Sequence, residues 1–417
     1  MSLHNKHYIR LFLISIGTIF YFLANIQRVA IPGAIFDLLQ GDLGLCASKI
    51  TLLGAIFCYT YAFCQLIVGL LVDKIGGFRT MAIGAVAFGV GAMLFPLSNN
   101  LALLYLSRAL VGFGASTFYL SSIREVKKFA KDKNFSLAVS YILFVGYSGG
   151  IVANAPFVLW VNNVGWKEAL FAIGGFTMTL AIIYLITLFI FHPIKCLAHT
   201  EEKTFSIKPF KEVLKNKNNV NLYIFGAVNY GLYYVLQSVI GKKFLQDFCL
   251  YDVNTSALVL SIMALISAFA GTITAFVSKT INNRRAIIFK TFSILSFLSI
   301  FSVCFCLFFE IHTKALALVF CVPSFIGSIS PLLILTLHLI NRYEISGTAV
   351  AIQNFSFFMM VGLLGMISGM IMNLFEPIKE GNVLIYSKEA YLAVFGLFLA
   401  LSIIEIITAF KTKDNYN

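Results

Sequence analysis

Twelve apolar runs dominate the hydrophobic pattern of this chain. They fall at residues 9–36, 49–71, 80–98, 101–123, 136–160, 168–191, 220–240, 255–278, 287–309, 315–340, 347–373 and 390–410. Each is near the roughly 20 apolar residues that a helix needs to cross a bilayer core. A polar stretch from His192 to Asn219 separates the first six runs from the last six. The pattern predicts an all-α membrane protein: residues 1–191 form one six-helix bundle, 192–219 a linker, and 220–417 a second bundle.

Charge then assigns sides. In the alternate connections that face away from the N-terminus, the only basic residues are Lys167, Lys242, Lys243, Lys314, Lys379 and Lys388, out of 31 Lys and Arg in the chain. Except for Lys49, Arg28 and Arg108, the others lie on the N-terminal side. Basic loops stay cytoplasmic, so both termini are expected inside the cell. The linker carries Lys195, Lys203, Lys208, Lys211, Lys215 and Lys217 and reads as a solvated cytoplasmic segment or a helix lying on the anionic leaflet. The first run follows Arg10 without a cleavage site, which makes it a retained helix rather than a signal peptide.

Composition agrees. Hydrophobic residues make up 59% and charged residues 12%, against about a quarter charged in soluble domains, so the surface itself must be apolar. The net charge of +13 comes from short clusters between apolar runs rather than one basic face, which excludes a nucleic-acid partner. Cys58, Cys64, Cys304, Cys306 and Cys321 sit inside apolar runs and act as small hydrophobes. Without a C-x-x-C pair there is no basis for a metal site or redox motif, and a bridge between Cys46 and Cys249 is not expected. An enzyme would need clustered nucleophiles, a His pair or metal ligands at membrane depth. The runs offer none, so no catalytic residue and no cofactor are assigned.

After the second run stands Gly69-Leu70-Leu71-Val72-Asp73-Lys74-Ile75-Gly76-Gly77-Phe78-Arg79-Thr80. This resembles the signature loop of the major facilitator superfamily, G-x-L-x-D-R-x-G-R-R, with Lys74 for the first Arg and Gly77-Phe78 where a basic pair begins. Gly69 is expected to let two helices approach closely, and Asp73 to accept from a helix N-terminus or a basic side chain, with Lys74, Gly76 and Arg79 completing a gating motif. Arg108 to Ala115 resembles the family's R-x-x-x-G-x-G element, and Gly165-Trp166-Lys167 is also similar to the family. Gly362, Gly365 and Gly369 form a small-residue stripe suited to tight helix packing. The counterpart loop from Lys279 to Arg285 keeps charge but lacks Gly and Asp. The drug-exporter pattern G-x-x-x-G-P is not matched by Gly146, Gly149, Gly150 and Pro156. The resemblance implies two six-helix bundles with pseudo-two-fold symmetry around a central cavity, twelve transmembrane helices in all, and alternating access.

Charges within the runs point to that cavity, because an ionised side chain in hydrocarbon costs several kcal/mol. Arg28 lies about 27 Å beyond Arg10, and Arg108 about 12 Å into its own run, at roughly 1.5 Å rise per residue. Two guanidiniums at similar depth favour a carboxylate or phosphate. The resemblance also leaves a structural role for Arg108, in which helix-one carbonyls hold it. A short stretch from Tyr21 to Gly44 is weakly similar to organic-phosphate antiporters. Asn229, Tyr233 and Gln237 recur every four residues and share a helix face; Asn25 and Asn354 are further candidates. Asp37 and Glu405 read as residues near helix ends, with no acidic residue clearly at mid-membrane. The expectation is therefore a monomeric secondary transporter of a small polar anionic organic solute (an organic phosphate, carboxylate, peptide or siderophore) in a bacterial plasma (inner) membrane. The alternative is an exporter of amphipathic compounds.

Overall fold

In the computed structural model, the described residues are 3–128, 132–191, 208–281, 284–313, 315–380 and 383–413. Of the predicted linker, 192–207 lies outside them. The helices in chain order are α1 (Leu3–Val29), α2 (Phe36–Leu43), α3 (Ala47–Ile75), α4 (Gly77–Leu97), α5 (Leu101–Lys127), α6 (Asp132–Val152), α7 (Ala155–Val164), α8 (Trp166–Phe191) and α9 (Lys208–Lys215). They continue as α10 (Lys217–Val235), α11 (Gly241–Asp247), α12 (Val253–Thr280), α13 (Arg285–Phe308), α14 (Leu316–Gly327), α15 (Ser330–Ile340), α16 (Tyr343–Met372) and α17 (Lys388–Lys411). A kink with extended backbone at Ile31 (φ −118°, ψ 116°) leads from α1 towards α2, and a five-residue π turn at Leu236–Ile240 links α10 to α11. An antiparallel hairpin, β1 (Ile378–Glu380) with β2 (Val383–Ile385), precedes α17.

Local chemistry accounts for these elements. Hydrocarbon offers no hydrogen-bond partner, so the backbone must satisfy itself, and uninterrupted apolar runs do so as helices. Hydroxyls inside the runs are absorbed by the preceding turn: Thr18 donates to the Ile14 carbonyl at 2.9 Å, Thr177 to Ile173 at 2.7 Å and Ser368 to Leu364 at 2.7 Å. Where helices begin, side chains accept from free N–H groups. Asn100 caps α5 through Ala102 N at 2.9 Å, and Asp252 caps α12 through Asn254 and Thr255 N, both at 3.0 Å. Large apolar side chains such as Leu137, Phe144, Phe189, Phe276 and Leu374 are exposed, a surface suited to lipid rather than water.

Ten described helices are long and apolar enough to cross a membrane, or eleven if the pair Leu137–Val152 and Ala155–Val164, bent by 47°, is one span. The run read at 136–160 is thus broken, with Pro156 in the first turn of α7, where a missing N–H costs nothing. The run read at 220–240 is helical throughout, but Asn and Tyr in α10 keep it out of that set. Of the linker, 208–215 forms α9, whose Val213 is buried as α9 packs on α10 and α16.

The chain divides into two compact units, Met1–Ala30 with Ile56–Thr204, and Ile31–Ala55 with Phe205–Asn417. In the first, α4 packs on α5 and α8, and α1 on α5 and α6. Its centre is aromatic: Phe118 stacks on Phe20 at 5.2 Å and meets Phe88 edge-on at 5.3 Å. Glycine allows the closest approach. A Cβ at Gly114 of α5 would sit 2.4 Å from the Gly84 carbonyl oxygen of α4. In the second unit α10 is central, packing on α16 and α17, while α13 packs on α17. Phe244 gathers Phe320, Phe395 and Tyr391 around it, with centroids 4.8–5.5 Å away.

Gly114→Ala is expected to destabilise the protein by about 1–3 kcal/mol through overpacking. Gly396→Ala, where an added methyl meets nothing within 4 Å, should leave the melting temperature in detergent unchanged or slightly raised, since Ala favours helix.

Candidate functional site

Arg108 is fully buried in α5. Its position follows from Gly112 one turn on, where a Cβ would lie 2.6 Å from the Phe57 carbonyl oxygen of α3; the two helices touch there. The guanidinium lies over the Phe57 ring, 5.1 Å from its centroid, and Nη2 donates to the Gln27 carbonyl of α1 at 3.1 Å. Arg108 thus fastens α5 to the residue that precedes Arg28. Arg28 itself is half-buried in the last turn of α1. Cys58 lies within electrostatic reach of both arginines, and the Tyr21 phenol within reach of Arg28. Arg108 is therefore bonded to the residue next to Arg28, and both arginines lie within electrostatic reach of Cys58. The Gln27 amide, 1% exposed, has no hydrogen-bond partner on either atom among the described residues.

Asn25 belongs to packing. Its Nδ2 donates to the Tyr21 carbonyl at 2.9 Å, and a Cβ on Gly149 of α6 would come within 3.2 Å of it. In the second unit, Asn229 is engaged as well: its Nδ2 donates to Glu405 Oε1 of α17 at 2.9 Å. Tyr233 packs on Gly327 of α14 and meets Tyr234 edge-on at 4.7 Å. Gln237 is 1% exposed, and neither amide atom has a partner among the described residues. The same holds for Gln353 of α16, whose Nε2 points at Gly226 of α10. Neighbouring Asn354 is half-buried. Open amides at Gln27, Gln237 and Gln353 are costly unless a solute or water takes them.

In the signature loop, Asp73 pairs with Arg124 of α5 at 3.1 Å, a basic partner as expected. Lys74 and Arg79 are exposed, and Gly76 opens α4 with φ 87°. Gly69 differs from expectation: a Cβ there would meet nothing within 4 Å, so no close helix approach is made at that position. The tight contact is at Gly77, whose N–H donates to Glu125 Oε1 at 2.8 Å. Glu125 is 2% exposed and also pairs with Lys128 at 2.6 Å. Sequence reading passed over Glu125 because it sits in a basic cluster.

A further charged group lies at the junction of α2 and α11, where the sequence placed Lys242 and Lys243 in a connection and Asp37 near a helix end. Lys243 pairs with Asp37 and with Asp247, both at 2.9 Å, and is 1% exposed. Lys242 donates to the Ala34 carbonyl at 2.7 Å. Asp247 Oδ2 accepts from Tyr391 Oη at 2.8 Å and from Tyr386 N at 2.9 Å, and Gln40 donates to Tyr386 Oη at 2.9 Å. The i,i+4 spacing of Lys243 and Asp247 was the available signal. Cys46 and Cys249 are both free thiols.

The Major Facilitator Superfamily model matches residues 17–366. The chain belongs to the major facilitator superfamily. Its relatives and fold agree: it is a multi-pass membrane transporter, not an enzyme. It is 23% identical over 388 residues to the uncharacterized MFS-type transporter YcxA of Bacillus subtilis, covering 89% of each chain. It is 24% identical over 174 residues to the probable sulfoacetate transporter SauU of Cupriavidus necator, 41% of this chain and 40% of that one. It is also 25% identical over 160 residues to the sodium-dependent phosphate transport protein 1, chloroplastic, of Arabidopsis thaliana, 37% of this chain and 30% of that one. Less than half the length of the latter two is therefore spanned. Among solved structures, a single-site mutant of the nucleoside transporter NupG superposes with a TM-score of 0.74 at 14% identity, covering 96% of this chain and 99% of that one. A bacterial homologue of the human lysosomal transporter Spinster, inward-facing and unoccupied, gives 0.73 at 14%, covering 96% and 97%.

Lys243→Met should cost about 3–5 kcal/mol, because it removes the cation from buried Asp247 and leaves Asp37 only the longer pair with Lys242 at 3.8 Å. Lys388→Met, whose partner Glu310 is exposed, should leave the detergent melting temperature unchanged.

Proposed function

We propose that this transporter moves a small anionic organic solute by alternating access. The bond from Arg108 to the Gln27 carbonyl, next to Arg28 in the chain, carries the reading. Arg108, which donates to the Gln27 carbonyl and lies over the Phe57 ring, ties α5 to α1, and half-buried Arg28 beside it takes the carboxylate, phosphate or sulfonate. A guanidinium grips such groups with two parallel bonds. Gln27 supplies a neutral amide beside it; within the second unit, Tyr233, Gln237 and Asn354 are the candidate polar groups for a solute. The relatives whose printed names refer to sulfoacetate and phosphate support an anion. The basic loops support a cytoplasmic placement of both termini in a bacterial plasma membrane, with the monomer as the working unit.

One observation favours the second reading, export of an amphipathic compound: Arg108 is fully buried, with a carbonyl of α1 and the Phe57 ring against its guanidinium. The two readings separate on Arg28. Purified protein in proteoliposomes should take up labelled sulfonates, carboxylates or organic phosphates. Arg28→Ala should cut that uptake roughly 10-fold or more, as expected for the loss of a charged hydrogen bond of about 1.5–3 kcal/mol. Arg28→Lys should retain part of it. Anion uptake unaffected by Arg28→Ala overturns the anion reading, and arginine-independent movement of an apolar compound supports the exporter.

A further inference from the structure

Glu405 of α17 is fully buried. Its Oε1 accepts the Asn229 Nδ2 hydrogen bond from α10 at 2.9 Å, and Ser296 of α13 bears on the same carboxyl. These partners are deep: at about 1.5 Å per residue, Asn229 is roughly 18 Å along α10 from Lys217, and Ser296 roughly 16 Å along α13 from Arg285. Glu405, which in the sequence looks like a helix-end residue, therefore places its carboxyl at membrane depth.

Among the described residues, no charged group acts on it. The elements packed against α17 are α13, α10 and α16. Their charged residues lie towards helix ends: Arg285 and Lys290 on α13, Lys217 on α10, and Glu344 on α16. Lys290 lies over the Phe410 ring, 5.4 Å from its centroid. On α17 itself, Lys388, Glu389 and Lys411 are also near the ends. An ionised carboxylate held by one amide and one hydroxyl in this setting would bear a desolvation cost of several kcal/mol.

Two atoms of the pair are unmatched. Glu405 Oε2 and Asn229 Oδ1 are both buried, and neither has a hydrogen-bond partner among the described residues. As a carboxylate, Glu405 only accepts; as a carboxylic acid, it has one O–H to donate. A proton on Oε2 donated to Asn229 Oδ1 satisfies both open atoms at once and closes a cyclic acid–amide pair with the existing Nδ2–Oε1 bond. We propose that Glu405 and Asn229 form a proton-binding site in which a proton taken from water clamps α10 to α17. Removing the proton sets two acceptors against each other and leaves a bare buried charge. The site thereby links proton occupancy to the seating of α10, the helix that carries Tyr233 and leads into Gln237. It rests on no assumption about the transported solute.

Glu405→Gln imitates the protonated form, since its amide nitrogen donates to Asn229 Oδ1 and its oxygen accepts from Nδ2. Infrared spectra of the purified full chain at neutral pH should show a carboxylic-acid C=O band that is lost in Glu405→Gln and shifted in Asn229→Leu. As pH rises, the wild-type melting temperature should fall relative to that of Glu405→Gln. The sign follows because a folded state that binds the proton more tightly than the unfolded chain is stabilised at low pH, and loses that advantage as the site deprotonates. An acid band unchanged by either substitution, or no acid band at neutral pH, overturns the proposal. So does a wild type whose melting temperature tracks that of Glu405→Gln at every pH. Should Glu405→Gln fail to fold, the wild-type spectrum against Asn229→Leu still decides.

Discussion

Every polar group carried into hydrocarbon must find its partner within the protein, because lipid supplies none. That constraint organises this molecule. Hydroxyls in the helices return to their own backbone, as Thr18 and Thr177 do. Arg108 is accommodated by a carbonyl of α1 and an aromatic face of α3. Lys243 is enclosed by two carboxylates, one of which in turn takes the hydroxyl of Tyr391 and the N–H of Tyr386. Each such pairing ties helices together at a fixed register, so the polar residues specify how apolar helices, otherwise free to slide, are seated.

The same constraint separates scaffold from candidate ligand groups. Asn25 and Arg108 each donate to a backbone carbonyl of α1, and Asn229 donates to Glu405. The buried amides of Gln27, Gln237 and Gln353 do not find such bonds among the described residues. A transporter requires groups of this second kind: buried enough to be selective, and open enough that a solute improves their bonding. Arg28 is a charged neighbour of Gln27, whose carbonyl Arg108 holds.

Much of the fold was legible because the apolar runs are long and their punctuation is clear. The runs at 80–98, 101–123 and 168–191 coincide with α4, α5 and α8, and the Asp73 loop was recognisable from its spacing. What sequence could not reveal was burial near helix ends. Lys242 and Lys243 looked like loop charges and Asp37 like a helix-end residue, since their pairing depends on where the kink at Ile31 directs α2. Glu405 looked peripheral, because its distance from the end of α17 says nothing of how deeply Asn229 and Ser296 reach it. Asn229 and Gln237 share a helix face, yet one is engaged with Glu405 and the other is open, a distinction set by neighbouring helices rather than by spacing. Gly69 failed as a contact for a related reason: the family pattern marks a loop, and packing chose Gly77 instead.

The central claim is that the protein holds an anion at Arg28. Thermal unfolding of the purified protein in detergent tests it most directly, titrated with sulfonate, carboxylate and organic-phosphate anions against chloride at matched ionic strength. A ligand bound by the native state raises its apparent stability in a saturable way, and the account predicts such a rise for at least one of these anions. A melting temperature that follows ionic strength alone for all of them would contradict it.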